Sequence, residues 1–177
     1  MSKILIAYYS RSGNNYVNGT ISNLKIGNTA VIAAKIQELT GGTLFEIRTR
    51  KEYPLDYIET TKVSKDELRN NARPELSDHL TDIDNYDIIF LGYPNWWGTM
   101  PMAVFTFLES HNFQGKTIVP FCTHEGSGKG KSENDIKHLC PKSTVLSGIS
   151  IYGSSVSKAG PEINDWLKRQ NLIFNTI

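Results

Sequence analysis

The sequence predicts an α/β fold, one doubly wound domain over residues 1–177 in which a five-stranded parallel sheet carries helices on both faces. Three observations predict it. Apolar runs alternate with helix-like segments five times along the chain, which is the signature of repeated strand–helix units. The runs around Ile4, Ile88 and Ile118 are almost continuously apolar, as strands covered on both faces require; half-wet hairpin strands alternate instead. The length of 177 residues suits one domain that buries most of its unfolded surface.

Taken in order, residues 4–9 form the first strand and 29–39 its helix. Residues 44–47 form the second strand, with a helix near 64–71. Residues 88–91 and 102–108 follow as the third pair, then 117–122 with 133–139. The last strand spans 145–151 and the last helix 159–170, opened by Gly160-Pro161 and carrying Ile163, Trp166 and Leu167 on one stripe. Residues 16–26 and 50–58 read as irregular. No repeat of 20–50 residues and no low-complexity tract interrupts the pattern.

Lys plus Arg (19) nearly balance Asp plus Glu (18), for a net charge of +1. Such a chain has no global field to draw it to nucleic acid or to an anionic membrane, so neither is expected as a partner. The apolar run behind Met1, Ser2 and Lys3 is too short for a signal-peptide core, and no stretch approaches a membrane span. A cytoplasmic location is the expectation. Cys122 and Cys140 stand far apart and outside any ligand-like spacing, and read as reduced thiols. A phosphatase-type cysteine loop would need Arg at position 128, which is Gly.

Ligands of open parallel sheets bind beyond the carboxyl ends of the strands, where strand order reverses. Three loops should meet there. The first carries Ser10, Arg11, Ser12, Gly13, Asn14 and Asn15, then Gly27, Asn28 and Thr29 at a helix start. Hydroxyls and free N–H groups at a helix N-terminus suit an anion, although Asn28 and Thr29 also suit simple capping. The second is Pro94, Asn95, Trp96, Trp97 and Gly98, a pair of tryptophans that either cover a planar ligand or fill a core. The third is Thr123, His124, Glu125, Gly126, Ser127, Gly128, Lys129 and Gly130, whose glycines let the backbone approach a ligand or simply turn. Together the loops describe a site for a phosphorylated planar heterocycle.

At these residues the chain resembles the flavodoxin family over nearly its whole length. The family's Ser/Thr-x-Thr-Gly-Asn-Thr phosphate loop is similar to Ser10, Ser12, Gly13 and Asn14, with Asn28 and Thr29 as a delayed end. About a dozen residues, including Tyr16 and Val17, interrupt a run that is compact in the family. The resemblance implies a three-layer sandwich of strand order 2-1-3-4-5 and bound flavin mononucleotide (FMN). It implies that Ser10, Ser12, Asn28 and Thr29 hold phosphate, with Arg11 and Asn15 as additions. Pro94, Asn95, Trp96, Trp97 and Gly98 would lie along the ring, one tryptophan stacked on it. Thr123, His124, Glu125, Gly126, Ser127 and Gly128 would bind its far edge.

The implied function is electron transfer by a flavodoxin-like redox protein. The alternative is an FMN-dependent NAD(P)H oxidoreductase acting on a quinone or similar small acceptor. Flavodoxin carriers are typically strongly acidic, whereas this chain is balanced and has Arg11, Lys129 and Lys131 near the proposed site. No G-x-G-x-x-G nicotinamide fingerprint follows a strand. His124 either serves a proton or is a loop histidine without a role, so no catalytic residue is assigned. The electron partner is a protein or a small molecule, and a second subunit would shield a flat opening flanked by tryptophans. Two other classes fit the sequence less well: a P-loop nucleotide binder at residues 125–132, whose required first Gly is Glu125, and an interaction module with a vestigial pocket.

Overall fold

The computed structural model describes residues 2–173; Met1 and residues 174–177 of the predicted domain lie outside it. Its main sheet is built from β1 (Ile4–Tyr8), β4 (Thr43–Glu46), β5 (Ile88–Pro94), β6 (Thr117–His124), β7 (Thr144–Val145) and β8 (Ile149–Tyr152). All pairings are parallel, in the order β4-β1-β5-β6-β7, with β8 also on β6. Counted as the predicted strand–helix units, this is the expected 2-1-3-4-5.

Side chains alternate between the two faces of each central strand. Leu5, Ala7, Ile89, Leu91, Ile118 and Cys122 join one core with α3 (Met102–Glu109) and with Ile136 of α4 (Ser132–Leu139). Ile6, Phe90, Val119 and Phe121 join the other with α1 (Asn28–Thr40) and α5 (Gly160–Arg169). Each fully buried Leu, Ile or Phe contributes about 1.5–3 kcal/mol, and the two cores hold the sheet as a middle layer. Both cysteines are free and buried, and burial pushes the Cys122 thiol up to about 12 and that of Cys140 up to about 11.

Three elements differ from expectation. Residues 16–26 are not irregular: β2 (Gly13–Val17) and β3 (Thr20–Leu24) form an antiparallel hairpin separate from the main sheet. Its turn is Asn18-Gly19, with φ of 50° and 86°, the double left-handed turn that matches strand twist. The second helix, α2 (Tyr57–Arg69), starts a full two turns before residue 64, because the Asp56 carboxylate accepts the Glu59 N–H at 2.8 Å and caps it there.

The third difference is a break in the last strand, where residues 146–148 separate β7 from β8. The break lies beside Pro120 of β6, which has no N–H to give a neighbouring strand. The backbone of Gly148 is satisfied from α4 and its preceding turn instead. Its N–H donates to Glu133 Oε1 at 2.7 Å, and its carbonyl accepts from Lys129 Nζ at 3.0 Å. Those two side chains also pair with each other at 2.6 Å.

Candidate cofactor cleft

The loop after β1 and the start of α1 close on each other, although the hairpin separates them in sequence. Gly27 lies so near the loop's first half that a Cβ there would stand 2.2 Å from Ser10 Oγ and 2.5 Å from the Arg11 carbonyl oxygen. Only glycine fits that approach. Ser10 Oγ accepts the Ala30 N–H at 3.1 Å, so α1 is capped from twenty residues upstream. Thr29 is buried in the first turn, and its hydroxyl sits 2.8 Å from that of Thr123 at the end of β6.

Arg11 crosses the site. Its Nη2 donates to the carbonyls of Pro54 (2.8 Å) and Leu55 (3.0 Å) and to Thr60 Oγ1 (3.1 Å), and its Nη1 donates to the carbonyl of Asn14. These partners are neutral, and Arg11 joins no ion pair among the described residues. Burial lowers its pKa, yet a guanidinium keeps its charge in water at any ordinary pH.

Asn95 clips the second loop to the third. Its N–H donates to the Thr123 carbonyl (2.8 Å), its amide donates to the Gly128 carbonyl (2.7 Å), and its Oδ1 accepts the Gly98 N–H (2.9 Å). Trp96 is half-buried, edge-on to Tyr9 at 5.3 Å and to Tyr53 at 5.2 Å. Trp97 is 47% exposed and has φ of 56°. Its indole N–H donates to Ser64 Oγ at 3.1 Å, and Lys65 Nζ stands 5.0 Å from the ring centre.

In the third loop His124 Nδ1 accepts the Gly126 N–H at 2.9 Å, which fixes the proton of the neutral ring on Nε2. Burial lowers the His124 pKa while neighbouring Glu125 opposes the shift. Glu125 clasps two segments: Oε1 accepts the Ser154 N–H and Oε2 accepts the Asn18 N–H at the hairpin tip, both at 3.0 Å. On the opposite side, hairpin residue Tyr16 stacks on Tyr57 of α2 at 6.3 Å and 27°. The hairpin therefore bridges the mouth.

Beneath it lies an open cleft of about 200 Å³. Of the sequence candidates, Arg11, Asn15, Asn28, Thr29, Pro94, Asn95, Trp96, Thr123, His124, Glu125 and Ser127 line it together. Ser10 and Ser12 open instead onto a groove with Glu46 and Arg48. Trp97 faces a neighbouring compartment. Gly98, Gly126 and Gly128 stand outside the lining; the Gly98 carbonyl is engaged by the Lys131 N–H at 2.9 Å. Sequence reasoning missed Tyr16 and Tyr57, both on the wall. The Asn18-Gly19 turn and the Asp56/Glu59 cap were their available signals.

The P-loop-like string 125–132 is committed elsewhere. Ser132 Oγ donates to the Lys129 carbonyl at 2.7 Å and accepts from Tyr93 Oη at 2.8 Å, while Lys129 holds Glu133 and Gly148.

Residues 3–170 match the family model described as Flavodoxin. The chain belongs to the flavodoxin family. Among solved structures, this flavodoxin-family chain is similar to a protein described as a flavoprotein from Bacteroides eggerthii, at 30% identity over 96% of this chain and 98% of that one, with a TM-score of 0.74. A second such protein, from Bacteroides uniformis, is 30% identical over 92% and 98% of the two chains, with a TM-score of 0.72. A flavoprotein from Lactobacillus acidophilus, solved in complex with FMN, is 23% identical over 89% and 98%, with a TM-score of 0.63. No curated protein matches the sequence. Among the described residues no helix is long and apolar enough to cross a membrane.

Proposed function

We propose that this flavodoxin-family chain binds FMN noncovalently in the cleft and works in electron transfer, in the cytoplasm. The observation that carries the reading is the closure of Ser10-Arg11 onto Gly27, which brings Arg11 into one cleft with Asn28 and Thr29 at the N-terminus of α1, the Asn95–Trp96 wall and the His124–Ser127 turn. Helix N-terminal donors, the Thr29 hydroxyl and the Arg11 cation suit a phosphate. The single carboxylate on the lining, Glu125, already accepts two backbone N–H bonds, so it opposes an anion less than a bare carboxylate would. Trp96 supplies an aromatic wall for the ring, and Thr123, His124, Glu125 and Ser127 supply its polar edge. The FMN complex of the Lactobacillus acidophilus relative supports this choice of ligand. FMN, when bound, brings one- and two-electron redox chemistry, and the protein sets its orientation, access and potential.

A second reading, an NAD(P)H-dependent FMN oxidoreductase with a quinone or similar small acceptor, is favoured by the hairpin over the mouth. A bridge from Tyr57 to Glu125 narrows the approach for a protein partner but leaves a small molecule free to enter. Reconstitution with FMN, followed by anaerobic spectra during NADH and NADPH addition, tests both. Bleaching of the flavin band by either nucleotide supports the oxidoreductase. Bound flavin that ignores both but is reduced by dithionite supports the carrier. Failure to bind FMN refutes the proposal.

A further inference from the structure

We propose that Glu67 is a positioning residue for the cleft: through Tyr53 it fixes Trp96, the aromatic wall against which a planar ring would lie. That the ring is a flavin rests on the FMN reading; the fixing of Trp96 does not.

A helix packed on a protein normally turns an apolar stripe inward, but the two buried residues of α2 are Thr60 and Ser64. Glu67 continues their stripe, at spacings of four and then three, and is half-buried. Each of the three holds a different part of the site. Thr60 Oγ1 accepts from Arg11 Nη2 at 3.1 Å, Ser64 Oγ accepts the Trp97 indole N–H at 3.1 Å, and Glu67 Oε2 accepts from Tyr53 Oη at 2.7 Å. The last is the short bond of a hydroxyl to a carboxylate. Burial, with Tyr9 and Glu67 nearby, raises the Tyr53 pKa, so the phenol keeps its proton and is the donor.

The Tyr53 ring meets Trp96 edge-on at 5.2 Å and 87°. Tyr9 meets both, at 5.3 Å and 75° from Trp96 and at 6.2 Å and 85° from Tyr53. The Trp96 main chain is fixed by paired bonds with Thr99, of 2.9 and 3.2 Å, which leaves the ring to be held by its neighbours. Ring-on-ring contacts are individually weak. Among the described residues the bond from Tyr53 to Glu67 is the only one made by a side-chain polar atom of these three rings, so it is the directional tie of the cluster. Glu67 lies outside the cleft lining and acts on the wall only through the phenol.

The test follows FMN affinity by titration, and the Trp96 indole N–H resonance of flavin-free protein by heteronuclear NMR. It compares wild type with Glu67→Leu, Glu67→Gln, Tyr53→Phe and the Glu67→Leu, Tyr53→Phe double variant. Glu67→Leu and Tyr53→Phe should each shift the resonance and weaken FMN binding about three- to tenfold, the loss of one hydrogen bond of ordinary strength. The double variant should do no more than either single one, because both remove the same bond. Glu67→Gln keeps an oxygen that accepts the hydroxyl and should restore most of both readouts. The Trp166 indole, in the core on the opposite face of the sheet, should stay in place throughout and reports an intact fold. Three outcomes overturn the proposal: a Trp96 resonance unmoved in Tyr53→Phe, which removes a single oxygen; additive losses of FMN affinity in the double variant; or Glu67→Gln as damaging as Glu67→Leu, which would make charge rather than the tie the cause. If wild type binds no FMN while the resonance moves as expected, the FMN reading fails and the positioning of Trp96 stands.

Discussion

Excising residues 13–26 and joining Ser12 to Gly27 should leave a folded protein of nearly unchanged stability. The excision removes the whole hairpin and restores an uninterrupted Ser10-Arg11-Ser12-Gly27-Asn28-Thr29 loop. The connection between β1 and α1 then falls from 19 residues (9–27) to five, and the lower closure entropy returns about 1.2 kcal/mol. Against this stand the Tyr16–Tyr57 stack, about 0.5–1.5 kcal/mol, and the Asn18–Glu125 hydrogen bond, about 0.5–1.5 kcal/mol at an exposed site; the Arg11 Nη1 donor released from the Asn14 carbonyl passes to water at the opened mouth. The terms cancel to within about 2 kcal/mol, a shift of no more than several degrees in Tm for a chain of this size. Urea and thermal unfolding measure the stability, and stopped-flow fluorescence of FMN release measures the consequence of an unroofed mouth, expected to be faster exit. A loss well beyond 3 kcal/mol, or failure to fold, would refute the reasoning that the hairpin is looped out of a loop complete without it.

Thr29→Val should weaken FMN binding by about 1.5–3 kcal/mol, as loss of a hydroxyl donor to a charged oxygen does. Thr123→Val should cost less, because the buried Thr123 hydroxyl is already engaged by that of Thr29 and, in the FMN reading, contacts the ring edge, not the charged phosphate; equal, additive losses in an equilibrium titration would contradict that order. Glu125→Ala should abolish the hydrogen-exchange protection of both the Asn18 and Ser154 amides, and protection persisting at Asn18 would mean that the Tyr16–Tyr57 stack alone holds the tip. The folded-state pKa of His124 lies below its ordinary 6.5, so the unfolded chain binds its proton first and stability falls as pH drops through and below 6.5. Protonation at Nδ1 also breaks the Gly126 bond; a His124→Asn variant whose Tm–pH profile matches wild type between pH 7 and about 5 would refute the assignment.

The sheet was legible because burial on both faces writes itself into composition: the runs at Ile4, Ile88 and Ile118 are core strands in the order expected. The misses share a physical origin in local hydrogen-bond chemistry that an apolar count does not register. The Asp56 carboxylate sets where α2 begins, ahead of its first apolar stripe. Pro120 removes one donor from β6, and the cost appears as a break between β7 and β8, in a segment far along the chain. Site chemistry was legible by residue type but not by direction. Trp96 and Trp97 are neighbours in sequence, yet the left-handed backbone at Trp97 turns one toward the core and cleft and the other onto α2. Likewise Ser10 reads as an anion ligand by type, but its oxygen also accepts the Ala30 N–H and caps α1 while its own hydrogen stays available to donate.

A family pattern interrupted by 14 residues, 13–26, remains one pattern only if the interruption returns to its starting point. An antiparallel hairpin does so by construction, because its first and last paired residues, here Gly13 and Leu24, are a single strand spacing of about 5 Å apart however long the arms are. A helix or an open loop of the same length would separate its ends, or leave them free, and would pull Ser12 away from Gly27. The dipeptide Asn18-Gly19, the strongest short hairpin signal in a sequence, therefore carries information about the phosphate loop as well as about itself. It makes the halves Ser10-Arg11-Ser12 and Gly27-Asn28-Thr29 neighbours, and the approach of Gly27 to Ser10 Oγ that admits no Cβ is the structural consequence. By the same geometry Asn14, paired with Asn23 inside the hairpin, is carried off the loop, while Asn28 opens α1 on the cleft wall. Of those two asparagines, Asn28 lines the cleft and Asn14 does not.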